Sequence, residues 1–240
     1  MKIYRANDYE EMSRKAADIV AERVILDPSC VLGLATGSTP VGMYKQLVRR
    51  YKEGELDFSR VRTVNLDEYV GLSPTHKQSY RYFMQTNLFD HINIDPKNTH
   101  VPDGSSDPDE ECRRYNRVLH SFKDIDIQVL GLGHNGHIGF NEPGDAFEKD
   151  THVVQLQQST IDANSRFFAS RRDIPHSAIT MGIGSIMRAR SILMLVSGAD
   201  KADIVKAAFT GPVTPRVPAS VLQFHPSVIL VGDEAALSKL

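Results

Sequence analysis

Short, near-continuous apolar runs recur along this chain and alternate with amphipathic stretches of helical period. The runs lie at 30–35, 61–66, 125–132, 178–181, 191–196 and 228–231. A strand that is apolar on both faces is buried on both faces, so this rhythm predicts an α/β fold. The expectation is a single-domain, mainly parallel, Rossmann-like sheet with helices on both faces. The first helix is announced by Asn7-Asp8-Tyr9-Glu10, which has capping-box spacing, and by Met12, Ala16, Ile19, Val20 and Val24 behind it. Thr39-Pro40 supplies an N-cap and an N1 proline for a second helix that presents Tyr44, Leu47, Val48 and Tyr51. Further helices are expected at 80–89, 110–122, 160–169 and 201–209. No low-complexity stretch or Gly/Ser linker interrupts the pattern, so residues 1–240 are expected to form one domain, with a lid at 156–176.

Composition narrows the function classes. Twenty-eight basic against thirty acidic residues leave a formal charge of −2, which offers no broad footprint for nucleic acid. There is no apolar span of about 20 residues, which argues against a membrane partner. The N-terminus, Met1-Lys2-Ile3-Tyr4-Arg5-Ala6-Asn7-Asp8, lacks the apolar core of a secretory signal, so the expected location is cytoplasmic. Cys30 and Cys112 do not form a CxxC pair, and free thiols are expected, with Cys30 in a core strand.

In parallel sheets ligands bind beyond the carboxyl ends of strands, so the residues after each run carry the functional information. After 30–35 comes Thr36-Gly37-Ser38-Thr39-Pro40, a hydroxyl-rich turn feeding a helix N-terminus. It suits a phosphate but reads equally as a plain N-cap turn, and it is not a Walker A loop. After 61–66 come Asp67 and Glu68. Adjacent side chains of an extended segment point to opposite sides, so at most one faces the crevice, and Asp67 is the choice.

After 125–132 lies Gly131-Leu132-Gly133-His134-Asn135-Gly136-His137-Ile138-Gly139-Phe140-Asn141-Glu142-Pro143, with four glycines for backbone freedom and His137 and Glu142 as proton-transfer groups. Its Gly-x-Gly-x-x-Gly spacing is rejected as a dinucleotide fingerprint. Pro143-Gly144 breaks the helix that would carry a pyrophosphate, and no acidic residue ends the next extended run. His134 and His137 lack the partners of a metal site, and His134 reads as structural or solvent-exposed. Arg166 and Lys201, read alone, are surface cations; together with the 36–39 turn they form a phosphate clamp.

Taken in order, 35–40, 65–71, 133–143 and 163–168 closely resemble the glucosamine-6-phosphate deaminases, and the resemblance runs over essentially the whole chain. It implies aldose–ketose isomerisation and deamination of D-glucosamine 6-phosphate to D-fructose 6-phosphate and ammonia, with neither metal nor organic cofactor. By motif position it implies Asp67 as the base that moves a proton from C2 to C1, and His137 as the ring-opening catalyst oriented by Glu142. Asn135 stands where some members carry aspartate, and orients the imidazole by hydrogen bonding. Thr36, Gly37, Ser38, Thr39, Arg166 and Lys201 resemble the phosphate site. Relatives with allosteric activation carry basic residues near 151–155 and a longer C-terminus. Neither feature is seen here, so the expectation is a monomer or small homo-oligomer acting on a small sugar phosphate. Two rivals remain: a 6-phosphogluconolactonase-like hydrolase, which only has to activate water on an ester, and a non-catalytic sugar-phosphate sensor.

Overall fold

The computed structural model describes residues 1–157, 170 and 174–240. In chain order the strands are β1 (Lys2–Ala6), β2 (Val31–Leu34), β3 (Arg62–Asn65), β4 (Asp67–Tyr69), β5 (Thr99–His100), β6 (Ile127–Gly131), β7 (His152–Gln155), β8 (Ser177–Thr180), β9 (Ile192–Val196) and β10 (Val228–Asp233). The helices are α1 (Tyr9–Leu26), α2 (Val41–Lys52), α3 (Tyr80–Asn87), α4 (Pro108–Ser121), α5 (Ile183–Met187) and α6 (Ala202–Thr210). Seven strands form one sheet in the order β1-β10-β9-β6-β2-β3-β5, with every pairing parallel. This is the mainly parallel, Rossmann-like architecture expected. Every residue of β2 and β9 is buried, as a sheet covered on both faces requires, and each fully buried aliphatic side chain contributes about 1.5–3 kcal/mol over exposure. Among the described residues no helix is long and apolar enough to cross a membrane.

Both helix starts differ in detail from the expectation. The box of α1 lies one residue later than the Asn7–Glu10 spacing: Asp8 accepts the N–H of Glu11, and Glu11 accepts the backbone N–H of Asn7 at 2.7 Å. Thr39 does not cap α2. Pro40 occupies the cap position, and the phenol of Tyr9 on α1 does the work instead, accepting the Gly42 N–H at 2.8 Å and donating to Ser38 O at 3.0 Å. Cys30 and Cys112 are free and buried, and burial pushes their thiols up to about 12 and about 11.

The larger departure is a second sheet. β4, β8 and β7 pair antiparallel, with Asp67 opposite Thr180, so the runs at 61–66 and 178–181 do not both belong to the parallel sheet. Only Leu66 separates β3 from β4. The exit is held by Tyr115 of α4, fully buried, whose hydroxyl accepts the Asn65 N–H at 3.0 Å and donates to Asn65 O at 2.6 Å. These bonds replace ladder partners that Asn65 gives up as the chain leaves the large sheet. The small sheet has its own apolar cluster, Tyr69, Leu72, Phe140, Leu156 and Ala178.

The sheet order places the functional crevice. From β2 the chain winds outward through β3 and β5, and from β6 it winds the other way through β9 and β10, so the switch point lies between β2 and β6. Tyr115→Phe removes both bonds to Asn65 while keeping the ring. It is expected to cost about 1–3 kcal/mol, read as a lower midpoint in urea unfolding.

Candidate active site

A cleft of about 320 Å³ opens at that switch point, lined by the segments that follow β2, β3, β6 and β9. It gathers Thr36, Gly37, Ser38, Thr39, Asp67, His137 and Lys201. The 36–39 turn enters α2 through Gly37 at φ +87°, a conformation that disfavours any side chain. The positive end of the α2 dipole adjoins the turn. Across the cleft, the Lys201 ammonium donates to Leu132 O at 2.8 Å, and burial lowers its pKa. Arg166, the other expected member of the clamp, lies outside the described residues, as do the expected helix at 160–169 and most of the lid segment.

Asp67 and Glu68 separate as an extended backbone requires. Asp67 lines the cleft at 6% exposure, and burial first, then the charge of Glu68, pushes its carboxyl up to about 8. Glu68 turns away and accepts the backbone N–H groups of Tyr69 (2.9 Å), Tyr80 (2.8 Å) and Arg81 (2.9 Å). Burial raises it to about 7 against those three donors. The 138–141 turn closes over Asp67: Gly139 sits at φ +59°, and a Cβ there would lie 3.0 Å from Thr180 Oγ1 and 3.5 Å from Asp67 Oδ2.

His137, Glu142 and Asn135 form a chain of contacts. His137 Nδ1 lies 3.1 Å from Glu142 Oε1. Asn135 differs from its expected part. Its amide donates to Glu142 Oε2 at 2.6 Å and its Oδ1 accepts the His137 backbone N–H at 3.2 Å, so it holds the carboxylate and the loop while the carboxylate faces the ring. Burial pulls the Glu142 carboxyl upward, but the imidazole and the Asn135 amide outweigh it and leave the carboxyl below its usual value. The ring lies flat against Gly133, where a Cβ would fall 2.4 Å from its atoms. His134 is exposed at the mouth, with Nε2 2.5 Å from Asp200 Oδ2.

Two cleft residues escaped the sequence reading. Tyr80 and Phe140 line the cleft with near-parallel rings 6.0 Å apart. The Tyr80 hydroxyl donates to Tyr69 Oη at 3.1 Å and shares the cleft wall with the Thr36 side chain. The available signal was Ser79, which caps α3 and so places Tyr80 at its first turn, next to the NLDEY segment in space.

Residues 7–230 match the model of a family described as glucosamine-6-phosphate isomerases/6-phosphogluconolactonase. The chain belongs to this family. Its similarity within the glucosamine-6-phosphate isomerase/6-phosphogluconolactonase family is uneven. The glucosamine-6-phosphate deaminase of Lachnoclostridium phytofermentans is 57% identical over 232 residues, covering 96% of this chain and 98% of the relative. That of Clostridium perfringens strain 13 is 56% identical over the full length of both. A solved structure described as a monomeric glucosamine-6-phosphate deaminase is 44% identical, covers both chains fully and superposes with a TM-score of 0.95. The 6-phosphogluconolactonase from Thermotoga maritima, at 17% identity over 97% of this chain and 99% of its own, has a TM-score of 0.78 and shares the fold.

The raised carboxyl of Asp67 carries a stability consequence. The native state keeps a proton that the unfolded chain releases between about pH 4 and the native value of about 8, so this residue's contribution falls as pH rises through that window. Asp67→Asn removes the loss. The variant's unfolding free energy relative to the parent, read from urea denaturation at each pH, is expected to climb between pH 4 and 8, by up to about 1.4 kcal/mol per pH unit at the steepest. A pH-independent difference would place Asp67 among ordinary carboxylates.

Proposed function

We propose that this chain converts D-glucosamine 6-phosphate and water to D-fructose 6-phosphate and ammonia, an isomerisation coupled to deamination. The observation that carries the reading is one cleft holding a buried carboxyl, Asp67, opposite an imidazole braced by Glu142, with the 36–39 turn and Lys201 at its rim. Identity of 50–57% to glucosamine-6-phosphate deaminases over essentially full length supports it. A lactonase, by contrast, has no use for a carbon-directed base.

Each group has a part. The 36–39 turn, Lys201 and Arg166 hold the phosphate. His137 takes the O1 proton and passes it to O5 as the C1–O5 bond breaks, opening the ring to the aldehyde; Glu142 holds the imidazole and Asn135 holds Glu142. Asp67 then removes the C2 proton, the electron pair forms C1=C2, and O1 takes the proton that the C2 ammonium gives up, relayed by the imidazole, giving an enolamine with a free amine. The proton on Asp67 moves to C1 while the nitrogen lone pair forms C2=N. Water adds at C2 and ammonia leaves, which completes the ketose. A base with proton affinity near neutrality suits both halves of this transfer, because it must accept at C2 and release at C1.

The neighbour at 44% identity is described as monomeric, which supports a monomeric state here, and the whole chain acts as one domain. A charged sugar phosphate does not cross a bilayer, which supports the cytoplasmic location and a place in amino-sugar catabolism.

A coupled assay of purified protein with glucosamine 6-phosphate is expected to show ammonia and fructose 6-phosphate in equal amounts. Folded protein silent on this substrate but active on a sugar-phosphate lactone would transfer the reading to the hydrolase. Asp67→Asn is expected to bind the sugar phosphate while losing hydrogen exchange between C2 and solvent, followed by NMR in deuterium oxide. Normal exchange in that variant removes Asp67 from the base role.

A further inference from the structure

Tyr80 joins the two halves of the cleft. At one end its hydroxyl donates to Tyr69 Oη on β4, its ring stacks on Phe140, and it lines the cleft beside Thr36 of the phosphate turn. At the other end its backbone N–H is held by Glu68, the residue next to Asp67. The first three N–H groups of α3 are all bound by side chains: those of Tyr80 and Arg81 by Glu68, and that of Tyr82 by Ser79 Oγ at 3.0 Å. Ser79 is by itself an adequate cap, and a carboxylate at 1% exposure is a costly way to add to it. What Glu68 contributes beyond capping is rigidity between β4 and α3, since its Oε1 takes the N–H of Tyr69 as well. The Arg81 guanidinium clamps the same turn from outside, donating to Thr99 Oγ1 at 2.8 Å.

We propose that Glu68 is a positioning residue for the reaction, acting through Tyr80 as a strut that sets the distance between the phosphate turn at Thr36 and the carboxyl of Asp67. This rests on the deaminase reading. A hexose phosphate bound at one end is delivered to Asp67 at a separation that the strut determines, and small errors in such a separation are expensive in rate. Lys201 and the N-terminal end of α2 hold the phosphate without the strut, so the larger part of its loss falls on kcat.

The test uses Glu68→Gln, Tyr80→Phe and the double variant. Glutamine keeps one acceptor oxygen for the Tyr69 and Tyr80 N–H groups but turns an NH₂ toward that of Arg81. Assayed well below its melting temperature, Glu68→Gln is expected to lose about tenfold or more in kcat with KM within about threefold. Tyr80→Phe, which keeps the ring, is expected to lose about fivefold. The double variant is expected to fall no more than about twofold below the poorer single variant, because the two residues act as one unit. A folded Glu68→Gln with kcat within about twofold of the parent, or losses that multiply in the double variant, overturns the proposal. Should Glu68→Gln not fold, Tyr80→Phe decides, and parental kcat in it overturns the strut. Parent protein with no activity on glucosamine 6-phosphate fails the functional reading instead. Amide hydrogen exchange then reads the strut without substrate: Glu68→Gln, or Tyr80→Phe if the former does not fold, must speed exchange of the Val41 N–H, which bonds to Ser38 O of the remote phosphate turn, and unchanged protection there overturns it.

Discussion

The burial of one carboxyl, Asp67, organises the molecule. The chain delivers it by leaving a parallel sheet and entering an antiparallel one across a single residue, Leu66, whose N–H still bonds to Leu34 O in the first sheet while its C=O accepts from Met181 beside the second. A surface loop in the same place would leave the side chain solvated and its proton affinity ordinary. The short strand that carries it pairs antiparallel with β8, and the turn at Gly139 approaches its carboxyl. The second sheet, with its separate apolar cluster, therefore has a chemical rationale: it is the wall that makes a carboxyl near the sheet's edge behave as an interior group.

Asp67 and Glu142 are set in opposite senses by their surroundings. Asp67 has a like charge next to it and, among the described residues, no counter-charge that offsets its burial, so the neutral form is favoured. Glu142 is also partly buried, yet an imidazole and an amide converge on its two oxygens and the carboxylate form prevails. Such divergence suits chemically equivalent side chains to different parts: Asp67 keeps its proton up to near neutrality, while Glu142 favours its charged form beside the His137 ring. The Asn135 amide is well suited to this. It donates to Glu142 without adding a negative charge to the chain of contacts, so the imidazole faces a single carboxylate.

Legibility in the sequence followed how local the cause was. The parallel strands were readable because burial on both faces leaves an unmistakable apolar run, as in 191–196. β1 was missed because it is an edge strand with only Ala6 fully buried, so its pattern resembles a polar tail. The cap of α2 was misread because the group that performs it, the Tyr9 phenol, lies in another helix. The opposition of Asp67 and Glu68 was readable from the period of two alone. That Glu68 faces the backbone of α3 was not, since nothing in the residues between 68 and 80 encodes the fold-back. Asn135 was placed in the right cluster but against the wrong partner, because the turn at Gly136, with φ +87°, decides which way its amide points.

The same contrast explains why fold and chemistry part company among proteins of this architecture. A superposition at 17% identity needs only the apolar runs and the switch point between β2 and β6, features that tolerate almost any aliphatic replacement. The cleft tolerates far less. A methyl group at Gly133 would displace the His137 ring, and Gly139 holds a backbone angle that disfavours any side chain, with Thr180 pressed close. Glu68 and Tyr115 spend buried polar groups on holding β4 and the end of β3, a cost that core packing alone would not require. Constraint of this second kind belongs to the chemistry, and it is concentrated in the two short segments, 65–69 and 131–142, that leave the sheet at its crevice.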